Sequence, residues 1–222
     1  MKEKTKRIFD IVFSGLVLVL LLPVLFAAAI WIKLDSQGPV LFLQTRAGRR
    51  GEPFRIFKLR TMVHRAPEQI DQHREQVVSV GGDPRITYAG RFIRATSLDE
   101  LPQLINILIG DMSIVGPRPV LMEQKEFVPP GHMKRFDVRP GLTGLAQVRG
   151  RRSLGWLHQL AFDAEYVDKR SFLYDLIIIL RTVKVVLLGG GIYGGNGQNW
   201  RAYRDSLAGR PPRDEDVQEA LK

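Results

Sequence analysis

The sequence predicts an α/β, mostly helical protein: an N-terminal membrane-inserted helix followed by a small membrane-associated domain. Three observations predict it. Ile11 to Ile32 carries no charge, enough for about 33 Å of helix at 1.5 Å per residue. Two short apolar segments, Val40–Gln44 and Phe54–Arg60, flank the turn-forming Gly48-Arg49-Arg50-Gly51-Glu52-Pro53 and read as a pair of strands. Beyond them, apolar residues recur mostly at helical spacing, broken by glycine and proline.

The first segment is basic on both flanks: Lys2, Lys4, Lys6 and Arg7 before it, then Lys33, Arg46, Arg49, Arg50, Arg55, Lys58 and Arg60 after it. Lys and Arg favour the cytoplasmic side, so a straight span would place one cluster outside. Pro23 lies near the middle of the run and can break the helix into two arms that return to one face. A kinked transmembrane helix and a re-entrant helix-break-helix therefore stand as equal readings of the residues. Ala27-Ala28-Ala29 offers a signal-peptide cleavage site, but the apolar run is long and continues through Trp31 and Ile32, so retention is expected.

In chain order, Ser36-Gln37-Gly38-Pro39 makes a turn before the first strand. Residues 64–76 are polar and helix-permissive, Gly81-Gly82-Asp83-Pro84 stops them, and Tyr88–Arg94 suits another short helix. A short helix is expected over 120–127 and a longer one over 154–169. Leu176–Leu188 is apolar but interrupted by Arg181 and Lys184, which suits a membrane interface or a core helix better than a span. The expected boundaries are 1–33 for the membrane helix, 34–205 for the catalytic domain and 206–222 for a polar tail, frayed over its last dozen residues.

The chain of 222 residues holds 33 Lys and Arg against 23 Asp and Glu, a formal charge of +10 that suits phosphates, anionic lipid or nucleic acid. Cysteine is absent, which excludes disulfide and thiolate chemistry. The four histidines lack HxxxH spacing, so a histidine-built zinc site is not expected.

The stretch with most chemical content is Ser97-Leu98-Asp99-Glu100-Leu101-Pro102-Gln103-Leu104, followed by Gly110-Asp111-Met112-Ser113 and Gly116-Pro117-Arg118-Pro119. Ser97 with Glu100 three residues on reads as a capping box, starting a helix at Leu98. Leu98, Leu101, Ile105 and Leu108 then share the packed face, and Asp99, Pro102, Gln103 and Asn106 point away from it. Acidic residues in a first turn also simply complement the helix dipole. What favours a site is Pro102 distorting that turn beside a polar stripe.

Arg118 sits between two prolines that stiffen its backbone, an arrangement suited to bidentate phosphate contact as well as to a plain surface turn. Arg91, Arg94 and Arg139 are further candidates for a phosphate-binding wall. No Walker-type loop is present. Carboxylates beside phosphates point to Mg²⁺, or to a carboxylate that attacks phosphorus itself.

From about Lys6 to Val186 the chain resembles the bacterial sugar transferase family, the polyprenyl-phosphate hexose-1-phosphate transferases or monotopic phosphoglycosyl transferases. The resemblance rests on Lys6-Arg7-xx-Asp10, Gly38 to Phe42, Phe57-Lys58-Leu59-Arg60-Thr61-Met62 and Asp83-Pro84-Arg85-Ile86-Thr87. It continues through Thr96–Gln103, Gly110–Pro119, Arg139–Gly144 with Gln147, Tyr166-Val167, Ser171 and Asp175-Leu176. It implies a re-entrant helix broken at Pro23, on the cytoplasmic face of the bacterial inner membrane. It implies Asp99 as nucleophile on the β-phosphate of a UDP-sugar, with Glu100 assisting, Arg118 binding phosphate and Mg²⁺ held through Asp99. UMP leaves, and polyprenyl (undecaprenyl) phosphate accepts the sugar phosphate from Asp99. The chain resembles the family's minimal catalytic unit, and a homo-oligomer is left open.

Two departures stand out: Leu22, where a serine often precedes the proline, and Gln147-Val148-Arg149-Gly150-Arg151-Arg152, where Gln-Val-Asn-Gly-Arg-Asn is frequent. Sugar identity is therefore not carried over. Two rival readings are weaker. One is a non-catalytic, basic membrane-anchored protein that holds nucleic acid or anionic lipid; a nucleic-acid binder should interleave aromatics with its basic runs, and this chain does not, so no nucleic-acid partner is expected. A glycoside hydrolase needs two carboxylates facing across a sugar, which neighbouring residues do not provide.

Overall fold

The uncharged run does form one helix, α1 (Glu3–Asp35), and it is apolar around most of its circumference. In the computed structural model, which describes residues 3–65, 83–150, 154–188 and 199–221, both of its ends are tied to the same domain. Near the N-terminus, Lys6 pairs with Asp175 at 2.6 Å, and Arg7 donates to the carbonyls of Ile107 and Leu108 at 2.5 and 2.9 Å. Asp10 accepts the Ile114 N–H at 3.1 Å. Near the C-terminus, Asp35 accepts the Ala89 N–H at 2.9 Å, and Arg60 donates to the Ser36 carbonyl at 2.8 Å. Between these ties Leu16, Val19, Leu20, Leu22 and Phe26 are exposed.

The break expected at Pro23 is not seen as a break in secondary structure: the helix continues through it. A proline removes one backbone donor and crowds the preceding turn, but the helix resumes where packing holds each arm. Here Phe9, Phe13, Val17 and Leu18 are held by one cluster, and Leu25, Ala28, Trp31 and Ile32 by another.

Strands β1 (Leu41–Ala47) and β2 (Pro53–Leu59) form the predicted hairpin, antiparallel with Leu41 opposite Leu59 and Ala47 opposite Pro53. The connection turns tightly because Arg50 and Gly51 both take positive φ, 58° and 73°. The hairpin organises the remaining motifs. At one end Ala47 bridges Val120; just beyond the other, Met62 bridges Ile86. Helix α2 (Tyr88–Ala95) then packs so closely that a Cβ on Gly90 would lie 2.1 Å from the Thr61 carbonyl oxygen.

The helix expected to start at Leu98 is a correction. Ser97 takes a left-handed conformation (φ 59°) and makes no capping bond; Leu98–Glu100 is a single 3-10 turn, and α3 (Gln103–Ile109) begins only after Pro102. Pro102 thus sits at the helix entrance, where its missing N–H costs nothing. The polar stripe is turned inward, although Leu98 and Leu101 pack against core clusters as expected. Gln103 and Asn106 are buried, whereas Ile105 and Ile109 are exposed. The cause is the neighbouring strand: the Asn106 side chain accepts from the Phe57 N–H at 2.9 Å and donates to the Arg55 carbonyl at 2.7 Å, answering backbone groups that a leucine could not.

Short parallel strands β3 (Ser113–Val115) and β4 (Gly141–Thr143) bring the two glycine-containing motifs together. A Cβ on Gly141 would fall 2.1 Å from the Gly116 nitrogen, so the contact demands glycine. Helix α4 (Leu145–Arg149) follows, then α5 (Trp156–Lys169) and α6 (Phe172–Leu188). The stretch expected to be helical over 120–127 is a 3-10 helix at Glu123–Phe127, followed by another at Pro130–Phe136. Most of the polar stretch 64–76, together with Gly81, Gly82, Arg151 and Arg152, lies outside the described residues.

The expected frayed tail is a second correction. Helices α7 (Trp200–Ser206) and α8 (Asp214–Ala220) are packed. Trp200, Tyr203 and Leu207 join Ala47, Val120 and Leu160 in one core cluster, and Val217 is fully buried. Asp214 accepts the Gly131 N–H at 2.8 Å, and the Tyr203 hydroxyl donates to Asp216 at 2.7 Å. Four charged residues in a short helix look solvated in sequence, yet two of them have partners distant along the chain. Val217→Ala should therefore lower unfolding free energy by about 1–3 kcal/mol in a denaturant titration; a frayed tail would register no change.

Candidate active site

The loop between β3 and the hairpin bridge is held in an uncommon way. Pro117 and Pro119 have no N–H, so their segment can be fixed only through its carbonyls and the single Arg118 amide. Strand β4, the 3-10 stretch Pro130–Phe136 and two residues of β1 take these carbonyls. Gly141 N–H donates to Pro117 at 2.9 Å, Arg135 to Arg118 at 2.8 Å, Arg46 to Pro119 at 3.4 Å and Ala47 N–H to Val120 at 2.9 Å. This presents the Arg118 side chain to the 3-10 turn carrying Asp99 and Glu100.

There the Glu100 carboxylate takes Arg118 with both oxygens, at 2.6 and 3.3 Å, while one of them also accepts Lys58 from β2 at 3.1 Å. The two cations come from opposite sides of the chain's middle segment, and one carboxylate binds them both. Asp99, half-buried beside it, acts electrostatically on Lys58 and on Arg118.

Charge states follow from this packing. Burial alone would raise the Glu100 pKa, but Arg118 and Lys58 overcome it and hold the carboxyl well below the usual range. Burial pulls Lys58 down to about 8, with Glu100 opposing and Arg118 reinforcing the shift. Glu100 holds the guanidinium of Arg118 firmly protonated. Behind the loop, Asp163 on α5 is pushed up to about 6 by burial, although Arg135 pairs with it at 2.7 Å.

Of the residues singled out in sequence, Asp99, Glu100 and Arg118 are brought together. The other three arginines sit elsewhere. Arg94 donates to the Thr61 hydroxyl at 2.9 Å, bracing α2 against the end of β2. Arg139 donates to the Gly110 carbonyl at 2.8 Å and pairs with Glu3 at 3.2 Å, joining the β4 loop to the start of α1. Arg91 is exposed on α2. A single phosphate-binding wall built from Arg91, Arg94, Arg118 and Arg139 is thus not what the fold assembles. Lys58 was missed as a site residue because in sequence it is one basic residue in a strand, with nothing to mark which carboxylate it would meet. Arg135 and Asp163 were missed because burial is invisible at that spacing.

Among the described residues no three Asp, Glu or His side chains converge on one point. Mg²⁺ does not require that: it is commonly held by one or two carboxylates together with substrate phosphates and water. Asp99, half-buried beside Glu100, is a hard oxygen donor of the type such an ion takes.

The sequence comparisons bear on this site. The family model described as Bacterial sugar transferase matches residues 1–189. This chain belongs to that family. It is 45% identical over 198 residues to UDP-glucose:undecaprenyl-phosphate glucose-1-phosphate transferase of Caulobacter vibrioides, an alignment covering 85% of this chain and 72% of the relative. An uncharacterized sugar transferase, EpsL, of Bacillus subtilis is 38% identical, with 86% of this chain and 91% of the relative covered. The Escherichia coli UDP-glucose:undecaprenyl-phosphate glucose-1-phosphate transferase is 43% identical over 80% of this chain but only 39% of its own length. The sugar transferase is accordingly an enzyme, a transferase, and its long apolar α1 fits membrane association.

Neutralising Glu100 should leave Lys58 facing Arg118 without its main counter-charge. Glu100→Gln is expected to lower the Lys58 pKa further below about 8, read from the ¹³Cε shift of labelled lysine in an NMR titration. An unchanged or raised value would mean that Glu100 does not sustain the cluster.

Proposed function

We propose that this sugar transferase moves a sugar-1-phosphate from a UDP-sugar to undecaprenyl phosphate through a covalent aspartyl-phosphosugar on Asp99. The observation that carries the reading is the Asp99–Glu100 pair set against Lys58 and Arg118, in a chain closely similar to named UDP-glucose:undecaprenyl-phosphate transferases.

In the first step an Asp99 oxygen attacks the β-phosphorus, the bond from that phosphorus to the bridging oxygen breaks, and UMP leaves. In the second, an oxygen of undecaprenyl phosphate attacks the same phosphorus and the acyl phosphate bond breaks. Asp99 is restored as a carboxylate and the lipid diphosphate sugar is released. Dividing the transfer in this way lets one carboxylate serve both halves. Arg118 and Lys58 face charge that gathers on phosphate oxygens in both transition states, in a partly dry setting where such contacts are strongest.

Glu100 is better suited to holding these cations than to removing a proton, since its own pKa is driven low and both oxygens are engaged. Nor is a strong base needed: with a second pKa near 6, a phosphate monoester is already largely dianionic at neutral pH. Mg²⁺ bound through Asp99 would offset negative charge on the diphosphate.

The membrane arrangement belongs to the same reading. We place α1 as a re-entrant element that enters from and returns to the cytoplasmic face of the bacterial inner membrane, as one continuous helix bent at Pro23 within the bilayer. Its support is that Lys6, Arg7 and Asp10 at one end and Ile32 and Asp35 at the other engage one polar domain. Basic residues flank both ends, as the cytoplasmic side favours. The product would feed the assembly of a cell-surface or exported glycan.

Detergent-solubilised protein should release UMP from one member of a UDP-sugar panel when undecaprenyl phosphate is supplied, and EDTA should abolish it. Asp99→Asn should reduce turnover by about 10³-fold or more, the scale at which removing a reacting nucleophile acts. Omitting the lipid should leave Asp99 heavier by one sugar phosphate in a peptide mass spectrum. Near-normal UMP release from Asp99→Asn would sink the mechanism.

A further inference from the structure

A second ion pair lies directly behind the site, and neither partner is required by the chemistry above. Arg135 and Asp163 are 3% and 2% exposed. Arg135 contacts Asp163 through Nε at 3.2 Å and Nη2 at 2.7 Å, and the same Nη2 donates to the Arg118 carbonyl at 2.8 Å. Arg135 comes from the 3-10 stretch Pro130–Phe136, and Asp163 from α5.

Such a pair is a poor source of stability. Burying two charges costs several kcal/mol each before their attraction is counted, and apolar replacements are often neutral or stabilising. This pair is also incompletely satisfied, because Arg135 Nη1 and Asp163 Oδ1 are buried without a hydrogen-bond partner. What it does supply is direction. Asp163 fixes the plane of the Arg135 guanidinium, and that plane fixes the carbonyl of a residue whose two neighbours offer no N–H. The result is a continuous line of contacts: Asp163, Arg135, the Arg118 backbone, the Arg118 side chain, Glu100 and Lys58.

We infer that Arg135, oriented by Asp163, is a positioning residue for Arg118, setting the angle at which its guanidinium meets Glu100 and the substrate phosphate. The assignment rests on the proposed transferase reaction for its kinetic consequence, but its geometric part does not. A lysine at 135 keeps one positive charge near Asp163 and cannot reproduce the planar fork that holds the carboxylate while also donating to the Arg118 carbonyl.

The test is a double-mutant cycle on the full chain, with kcat and KM for the UDP-sugar read by UMP release and folding read by thermal melting. Arg135→Lys should melt cooperatively and lose about 10²-fold in kcat/KM, the scale of a misplaced catalytic contact. In an Arg118→Lys background the same change should cost less than about twofold, because the residue it positions is already compromised. Effects that multiply in the double variant, or an Arg135→Lys enzyme within twofold of wild type, would overturn the assignment. Asp163→Asn runs through the same cycle, so a folding failure in Arg135→Lys leaves a second route. Failure of both to fold would make the pair structural and refute positioning.

An activity-independent arm separates this inference from the reaction it serves. If Arg118 swings from its place in Arg135→Lys, Lys58 loses a repelling neighbour and its pKa should rise above about 8 in the lysine NMR titration. A wild-type enzyme silent towards every UDP-sugar, with that rise observed, would remove the proposed reaction and keep the positioning role. No rise would remove the positioning role whatever the activity.

Discussion

The grip of the Glu100 carboxylate on Arg118 and Lys58 is the interaction on which the site depends. It joins three parts of the chain that share no secondary structure: a strand of the hairpin, an isolated 3-10 turn and a loop without regular structure. None of the three groups would occupy its place alone. Two cations brought close repel each other, and a half-buried carboxylate without partners would take up a proton. Together they form a cluster with one net positive charge, to which Asp99 adds a negative one. An anionic group approaching that surface meets donors that are already desolvated.

Keeping such a cluster in register is a backbone problem, and the fold answers it with glycines and carbonyls. Gly116 and Gly141 allow two loops to approach within a distance that any side chain would forbid. The proline-flanked segment is then fixed through four consecutive carbonyls, one taken by β4, one by Arg135 and two by β1. Rigid placement on this side lets the other side, the turn at Leu98–Glu100, remain short and free of a regular helix. The hairpin serves as the common rail, since it bridges Val120 after the loop and supplies Lys58 to the cluster.

The membrane helix is linked to the same rail rather than appended to it. Asp10 holds the Ile114 N–H within β3, two residues before Gly116, and Lys6 reaches Asp175, which also receives the Tyr166 hydroxyl at 2.8 Å. That hydroxyl lies 3.0 Å from the Val115 carbonyl. The strand leading to Arg118 is therefore contacted from the membrane arm and from α5 at once, so a disturbance of α1 has a short route to the site.

Much of the architecture was legible in the sequence. An uncharged run of membrane length, a hairpin with a glycine-rich turn and helices over 88–94 and 154–169 follow from local periodicity and turn chemistry, which depend only on neighbouring residues. Asp99, Glu100 and Arg118 were also visible, because they lie in motifs whose proline and glycine content constrains the backbone locally. What the sequence could not determine was the inside and the outside of α3, where Asn106 turns inward to serve a strand edge some fifty residues away. Nor could it distinguish Arg118, which meets Glu100, from Arg94 and Arg139, which brace other elements, since all are arginines near glycines, prolines or helix ends. Lys58, Arg135, Asp163 and the packed helix α8 were decided by tertiary structure alone. Their roles are set by burial and by partners distant in sequence, and a charged residue carries no local sign of either.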